Sequence, residues 1–120
     1  MKILIVDDSR VMRQIVTRTL RQAGFEGHEL VEAGNGLEGL QAVQDHDPAL
    51  VLSDWNMPEM NGIDMLSTLR SRGQQVPFAF VTSEGSPDMV SRAEAAGAMF
   101  VITKPFTAEG FREKLQPVLG

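Results

Sequence analysis

The stretch MKILIVDDSR, residues 1–10, decides how the rest of the chain is read. Lys2 to Val6 is an unbroken apolar run after its first residue, which fits a strand covered on both faces rather than one with a wet side. It stops at two adjacent carboxylates, Asp7 and Asp8, and a helical pattern begins at once. Carboxylates that share a site repel each other. A strand end that carries two of them needs something to face.

The same alternation recurs along the chain. Ser9 to Ala23 reads as a helix with Val11, Met12, Ile15, Val16 and Leu20 on one side; Asp8 or Ser9 is its N-cap and Gly24 its stop. His28 to Glu32 is a short, half-polar strand. Leu37 to Asp45 is a helix with Leu37, Leu40 and Val43 inward, and Ala49 to Ser53 is a second apolar strand. The turn-like NMPEMNG leads to a helix over Ile63 to Ser71, and Phe78 to Val81 is a third buried strand. Ser86-Pro87-Asp88 supplies a cap, a proline at the first helical position and an acid in the first turn, for a helix ending at Ala96 before Gly97. Met99 to Thr103 is a fourth apolar strand, and Thr107 to Leu119 the last helix. Five βα units in succession predict a doubly wound α/β fold with a parallel sheet, in one domain over residues 1–120.

The bulk composition is ordinary for a globular chain, with 42% hydrophobic and 22% charged residues. There are no cysteines, which excludes disulfides and thiolate chemistry. No apolar run approaches the roughly 20 residues of a membrane span, and the N-terminus has no signal-peptide layout, so a cytoplasmic location without membrane insertion is expected. The net charge of -5 argues against nucleic acid as a partner. No long apolar patch calls for a dimer, so a monomer is expected.

In a sheet of this kind, ligands sit beyond the carboxyl ends of the strands. Those ends carry Asp7 and Asp8, then Asp54, then Thr82 and Ser83, then Lys104. Three carboxylates with one lysine need a cation to coexist, and oxygen-only donors suit a hard divalent ion such as Mg²⁺. An aspartate beside Mg²⁺ and a lysine is equipped to accept a phosphoryl group, because both cations offset charge on the equatorial oxygens. His28 and His46 read as solvated surface residues, and Arg10, Arg13, Arg18 and Arg21 as the solvated face of the first helix.

With VDD after the first strand, SDWNMPEMNG around Asp54, VTSEG after the fourth strand and KPF after the fifth, the whole chain resembles a response-regulator receiver domain of two-component signalling. DWNMP and VDDSRVMRQIV are especially similar to the stand-alone chemotaxis members of that family. The resemblance implies a flavodoxin-like five-stranded sheet in the order 2-1-3-4-5. It implies Asp54 as phosphoacceptor; Asp8, Asp54 and the backbone carbonyl of Asn56 as direct ligands of Mg²⁺ or Mn²⁺; and Asp7 acting through metal-bound water. Lys104 would hold a phosphoryl oxygen, Thr82 would swing toward it, Gly62 would shape the loop beyond Pro58, and the Lys104–Pro105 bond would be cis. The donor would be a histidine kinase or a histidine phosphotransfer protein, and a downstream protein would bind the face of the fourth helix, fifth strand and fifth helix. The chain would catalyse its own phosphorylation and dephosphorylation but turn over no free metabolite.

One position departs from that pattern. Three residues before the lysine, where the family usually carries a switch tyrosine or phenylalanine, stands Val101. Phe100 adjoins it, but strand side chains alternate faces, so Phe100 does not substitute; a shallow apolar recess is expected at Val101. Three other readings compete. A Mg²⁺-dependent phosphatase with an aspartate nucleophile would want an acid two residues after Asp54, where Asn56 stands. A flavodoxin-like cofactor binder would need a phosphate-cradling loop, and DDSR has the wrong charge. A receiver-shaped interaction module that is never phosphorylated would not need the complete acidic set.

Overall fold

The structure, a computed structural model, describes residues 1–120. Ten elements alternate: β1 (Lys2–Val6), α1 (Arg10–Gln22), β2 (Glu29–Ala33), α2 (Gly36–His46), β3 (Leu50–Ser53), α3 (Gly62–Ser71), β4 (Phe78–Thr82), α4 (Pro87–Ala96), β5 (Val101–Thr103) and α5 (Ala108–Leu119). The strands form one parallel sheet in the order β2-β1-β3-β4-β5, the doubly wound, flavodoxin-like order expected.

The apolar strands are buried because helices cover both faces. On one face Leu4, Val6, Val51, Phe78 and Phe80 pack with α2, α3 and α4. On the other, Ile3, Ile5, Leu50, Leu52, Ala79 and Val81 meet Val16 and Leu20 of α1 and Phe111 and Leu115 of α5. Each helix is capped by a side chain accepting from a first-turn amide: Ser9, Asn35, Asn61, Ser86 and Thr107 serve α1 to α5 in turn.

Four sequence-level expectations need correction. Leu37 is exposed, because the inward arc of α2 is Gly36, Gly39, Leu40 and Val43; the two glycines let this helix close on Met60 and Met65, which turns Leu37 away. Val11 and Ile15 are also exposed, because α1 presents Val16, Thr19 and Leu20 to the core instead. β5 is shorter than Met99 to Thr103, and Met99 is half exposed, although its amide still donates to the Phe78 carbonyl at 2.8 Å. His28 is half-buried beside Phe25, with its Nδ1 buried and without a partner. The remaining boundaries move by a residue or two, as helix ends do.

Phe100 and Val101 do lie on opposite faces: Val101 packs with the α2–α4 side and Phe100 with the α1–α5 side. The expected recess is absent, since none of the three surface depressions is lined by Val101. Val101 is half-buried and packs against the core on that side.

The loop from Asp54 to Asn61 is held close to the sheet end. The Gly62 amide donates to the Trp55 carbonyl at 2.8 Å, and the Gly36 amide to the Met60 carbonyl at 2.9 Å. A β-carbon on Gly62 would collide with the Asp54 carbonyl and come within 2.8 Å of the Phe80 ring. Neither neighbour can yield freely, since one is backbone and the other sits in a packed core. Gly62→Ala is therefore expected to destabilise the fold by about 1–3 kcal/mol. Urea unfolding checks this: the midpoint should fall with an unchanged slope.

Candidate functional site

Strand register brings the sequence-predicted residues together. Val6 pairs with Ser53, Ser53 with Phe80, and Thr82 with Thr103, so Asp7, Asp54, Thr82 and Lys104 leave the sheet at one edge. Carboxylate oxygens of Asp7, Asp8 and Asp54 lie within 4.8 Å of one another. The Lys104 Nζ reaches back to 3.4 Å from Asp7 Oδ2 and 3.7 Å from Asp54 Oδ2. The Lys104–Pro105 peptide bond is cis, as expected.

The two adjacent aspartates have different surroundings. Asp7 is buried, and both its carboxylate oxygens are engaged: Oδ1 accepts from the Ser9 amide at 2.9 Å and Oδ2 from Lys104. Asp8 is exposed and bonded to nothing in the protein. One carboxylate is thus fixed by the fold, and the other is left open to a ligand. Asp54 is half-buried, and its Oδ1 accepts from the Trp55 amide at 2.8 Å. No hydrogen bond in the protein ends on the Asn56 carbonyl. Thr82 is fully buried, and its hydroxyl accepts from the Glu84 amide at 3.3 Å.

These donors fit a small divalent cation. They are all hard oxygens, they lie close enough to share one ion, and Asp8 and the Asn56 carbonyl have no competing partner. Three carboxylates against one ammonium also leave two negative charges to offset.

Sequence reasoning missed two contributors. Arg13, read as part of a solvated face, folds over the β1–α1 corner: its Nη1 donates to the Asp7 carbonyl and its Nε to Glu32 Oε1 at 2.8 Å. Nothing local announces this, because Glu32 comes from the neighbouring strand. Trp55 is a second case. It is buried, stacks on Phe80 at 4.8 Å, and lies beneath the guanidinium of Arg92 on α4 at 5.5 Å.

Burial raises the Asp54 carboxyl above its ordinary 3.8; Lys104 opposes the rise, Asp7 adds to it, the Trp55 amide opposes it and Asp8 adds to it. An aspartate whose folded value is raised costs stability when ionised. That cost is absent below the unfolded value of 3.8, grows as pH rises through the folded value, and is complete above it. Asp54→Asn should therefore raise the thermal midpoint at pH 7 in chelating buffer, and its advantage over the wild type should shrink on acidification. Calorimetry of the two proteins across pH 4–7 checks the sign.

The sequence model of the response regulator receiver domain matches residues 3–116. Chemotaxis protein CheY1 of Helicobacter pylori strain 26695 is 42% identical, over 100% of this chain and 98% of its own length. Chemotaxis protein CheY-3 of Vibrio cholerae is 41% identical, over 98% of this chain and 91% of its own. The solved structure of Vibrio cholerae CheY4 at low pH superposes with a TM-score of 0.85 at 37% identity, covering 98% of each chain. Receiver domains are signalling proteins that bind Mg²⁺ at an acidic cluster like the one at this sheet edge. The match spans every strand and helix that shapes the cluster, and the chain belongs to the response regulator receiver domain family.

Proposed function

We propose that this chain is a stand-alone response regulator of the chemotaxis type. It accepts a phosphoryl group on Asp54 from a histidine kinase or a histidine phosphotransfer protein, with Mg²⁺ bound, and signals by changing its affinity for a protein target. The observation that carries the reading is the placement of one lysine 3.7 Å from Asp54 and 3.4 Å from Asp7, at a carboxylate edge open to solvent through Asp8. The relatives named chemotaxis proteins, matched over nearly their whole length, support the pathway. No helix is long and apolar enough to cross a membrane, and the cytoplasm is the proposed place of work.

An oxygen of the Asp54 carboxylate attacks the phosphorus of a phosphohistidine. The new O–P bond forms as the P–N bond breaks, and the imidazole leaves with that electron pair and takes up a proton. A bound Mg²⁺ or Mn²⁺, held by Asp8, Asp54 and the Asn56 carbonyl with Asp7 acting through water, would supply charge neutralisation at the phosphoryl oxygens. Asp7 suits the indirect role because Ser9 and Lys104 already occupy its carboxylate. Lys104 follows the charge from the free carboxylate to a phosphoryl oxygen. Thr82 gives up the Glu84 amide and turns its hydroxyl toward the new group, which draws in the loop before α4. The face of α4, β5 and α5 then meets the target. Water attack on phosphorus breaks the O–P bond, releases inorganic phosphate and restores Asp54. Self-phosphorylation and this hydrolysis are the only chemistry proposed for the chain.

Val101 makes transmission different from a rotating aromatic. Valine is stiff about its first dihedral and carries no ring to insert. The coupling therefore runs through the Thr82–Pro87 loop into α4.

Acetyl phosphate with Mg²⁺ should add one phosphoryl group to the wild-type protein, and mass spectrometry of peptides should place it on Asp54. Asp54→Asn should abolish the addition, because an amide is not a nucleophile. Lys104→Arg keeps the charge but not the geometry, so phosphorylation should persist while target affinity gains less. Phosphate on Ser53 or Thr82 of the wild type would overturn the assignment.

The phosphoryl lifetime follows from the mouth of the site. Asn56 Nδ2 lies 3.5 Å from Glu84 Oε1, and both residues are exposed. Neither can seal a water path, so the phosphoryl group should be lost within minutes rather than many hours at neutral pH with Mg²⁺. Phosphate release after removal of the donor measures it, and a half-life of many hours contradicts this reading.

A further inference from the structure

We propose that Arg13 is a positioning residue for the divalent cation. It would fix the β1–α1 corner so that Asp8 stays aimed at the metal position, and it would do so by holding two acceptors at once. This rests on the reading of the acidic edge as a Mg²⁺ site.

Asp7 is bonded from every side. Its amide donates to the Ala33 carbonyl at 3.1 Å, its Oδ1 accepts from the Ser9 amide, its Oδ2 faces Lys104, and its carbonyl accepts from Arg13 Nη1. The Ala33 and Ser9 bonds tie Asp7 to β2 and to the N-cap of α1. Arg13 adds a third tie, because its Nε is held at 2.8 Å by Glu32, also on β2. The guanidinium therefore spans the corner from the first turns of α1 to the second strand. The Asp7 carbonyl belongs to the peptide unit joining Asp7 to Asp8. Fixing that plane fixes where the Asp8 backbone starts, and the exposed Asp8 side chain has no other restraint. A planar guanidinium can serve two acceptors in a set geometry, whereas an ammonium on a flexible stem cannot do so with the same rigidity. The Arg13 side chain is only 17% exposed against 49% for Glu32, so this pair is better shielded than an ordinary surface ion pair.

The two effects of Arg13 on a cation have opposite signs, which makes the inference testable. As a charge, Arg13 repels a divalent ion, and removing it should tighten binding. As a positioning residue, it orders a ligand, and removing it should weaken binding, typically by about tenfold or more for residues that orient metal ligands. The geometry favours the second effect, because the guanidinium points at a carbonyl and at Glu32 rather than at the carboxylate cluster.

The experiment is a Mg²⁺ titration of the wild type, Arg13→Met and Arg13→Lys, read from the emission of Trp55, the only tryptophan, with urea midpoints measured in chelator. Arg13→Met should weaken Mg²⁺ by about tenfold. Arg13→Lys keeps the charge and should still weaken it, by less. The affinities are read well below each variant's unfolding midpoint, where a loss of stability alone does not move them. Binding by Arg13→Met that equals or exceeds the wild type would show Arg13 to be only a charge, and Arg13→Lys indistinguishable from the wild type would show that the two-acceptor hold is unnecessary; either overturns the proposal while leaving the Mg²⁺ site standing. A wild-type protein that gives no response to Mg²⁺ would remove the site reading itself, and the role of Arg13 with it.

Discussion

Three carboxylates and one ammonium group are forced into the same small volume at the end of a parallel sheet, and much of the structure around them manages that repulsion. Asp7, Asp8 and Asp54 would separate if the backbone allowed it. It does not, because Asp7 is bonded through its amide, carbonyl and both carboxylate oxygens, and Asp54 follows a strand buried on both faces. The raised Asp54 carboxyl is the electrostatic trace of this arrangement, with burial as its first cause. Excess negative charge favours neutralisation of the cluster by a proton or a cation.

The adjacent pair divides the labour by burial. Asp7 turns inward and becomes part of the framework; Asp8 turns outward and stays free. Both residues lie just past the end of β1 and their carboxylates share one edge, but the fold engages the first and leaves the second exposed. A single aspartate could not both anchor the corner and remain open to a ligand. The same economy recurs at β3, where Ser53 is buried and donates to the Asp54 carbonyl at 2.8 Å, while Asp54 itself reaches the edge.

Beyond the site, aromatic packing ties the acceptor to α4 by a route that does not involve Val101. Trp55 follows Asp54 directly, donates its amide to the carboxylate, stacks on Phe80 and lies beneath Arg92. Val101 is half-buried beside the same cluster and leaves no recess in the surface. Trp55 thus sits between the Asp54 carboxylate and α4, in contact with both.

The sequence by itself determined the element order, the parallel sheet, and the convergence of Asp7, Asp8, Asp54, Thr82 and Lys104. These are periodic or positional signals: apolar runs of strand length, caps and stops at fixed offsets, and polar residues that interrupt apolar runs at the same end of successive strands. Helix faces were less legible. Leu37, Val11 and Ile15 have core-like spacing but are exposed, because the face a helix buries is chosen by what packs against it; Gly36 and Gly39 admit Met60 and Met65, and so rotate Leu37 outward. Only the tertiary structure decided the surroundings of each charge. That Asp7 is buried and Asp8 free, that Arg13 spans from helix to strand, and that Arg92 covers Trp55 are contacts between segments far apart in the chain. Local pattern carries no record of such pairings, since they depend on which side chains the completed sheet brings within a few ångströms.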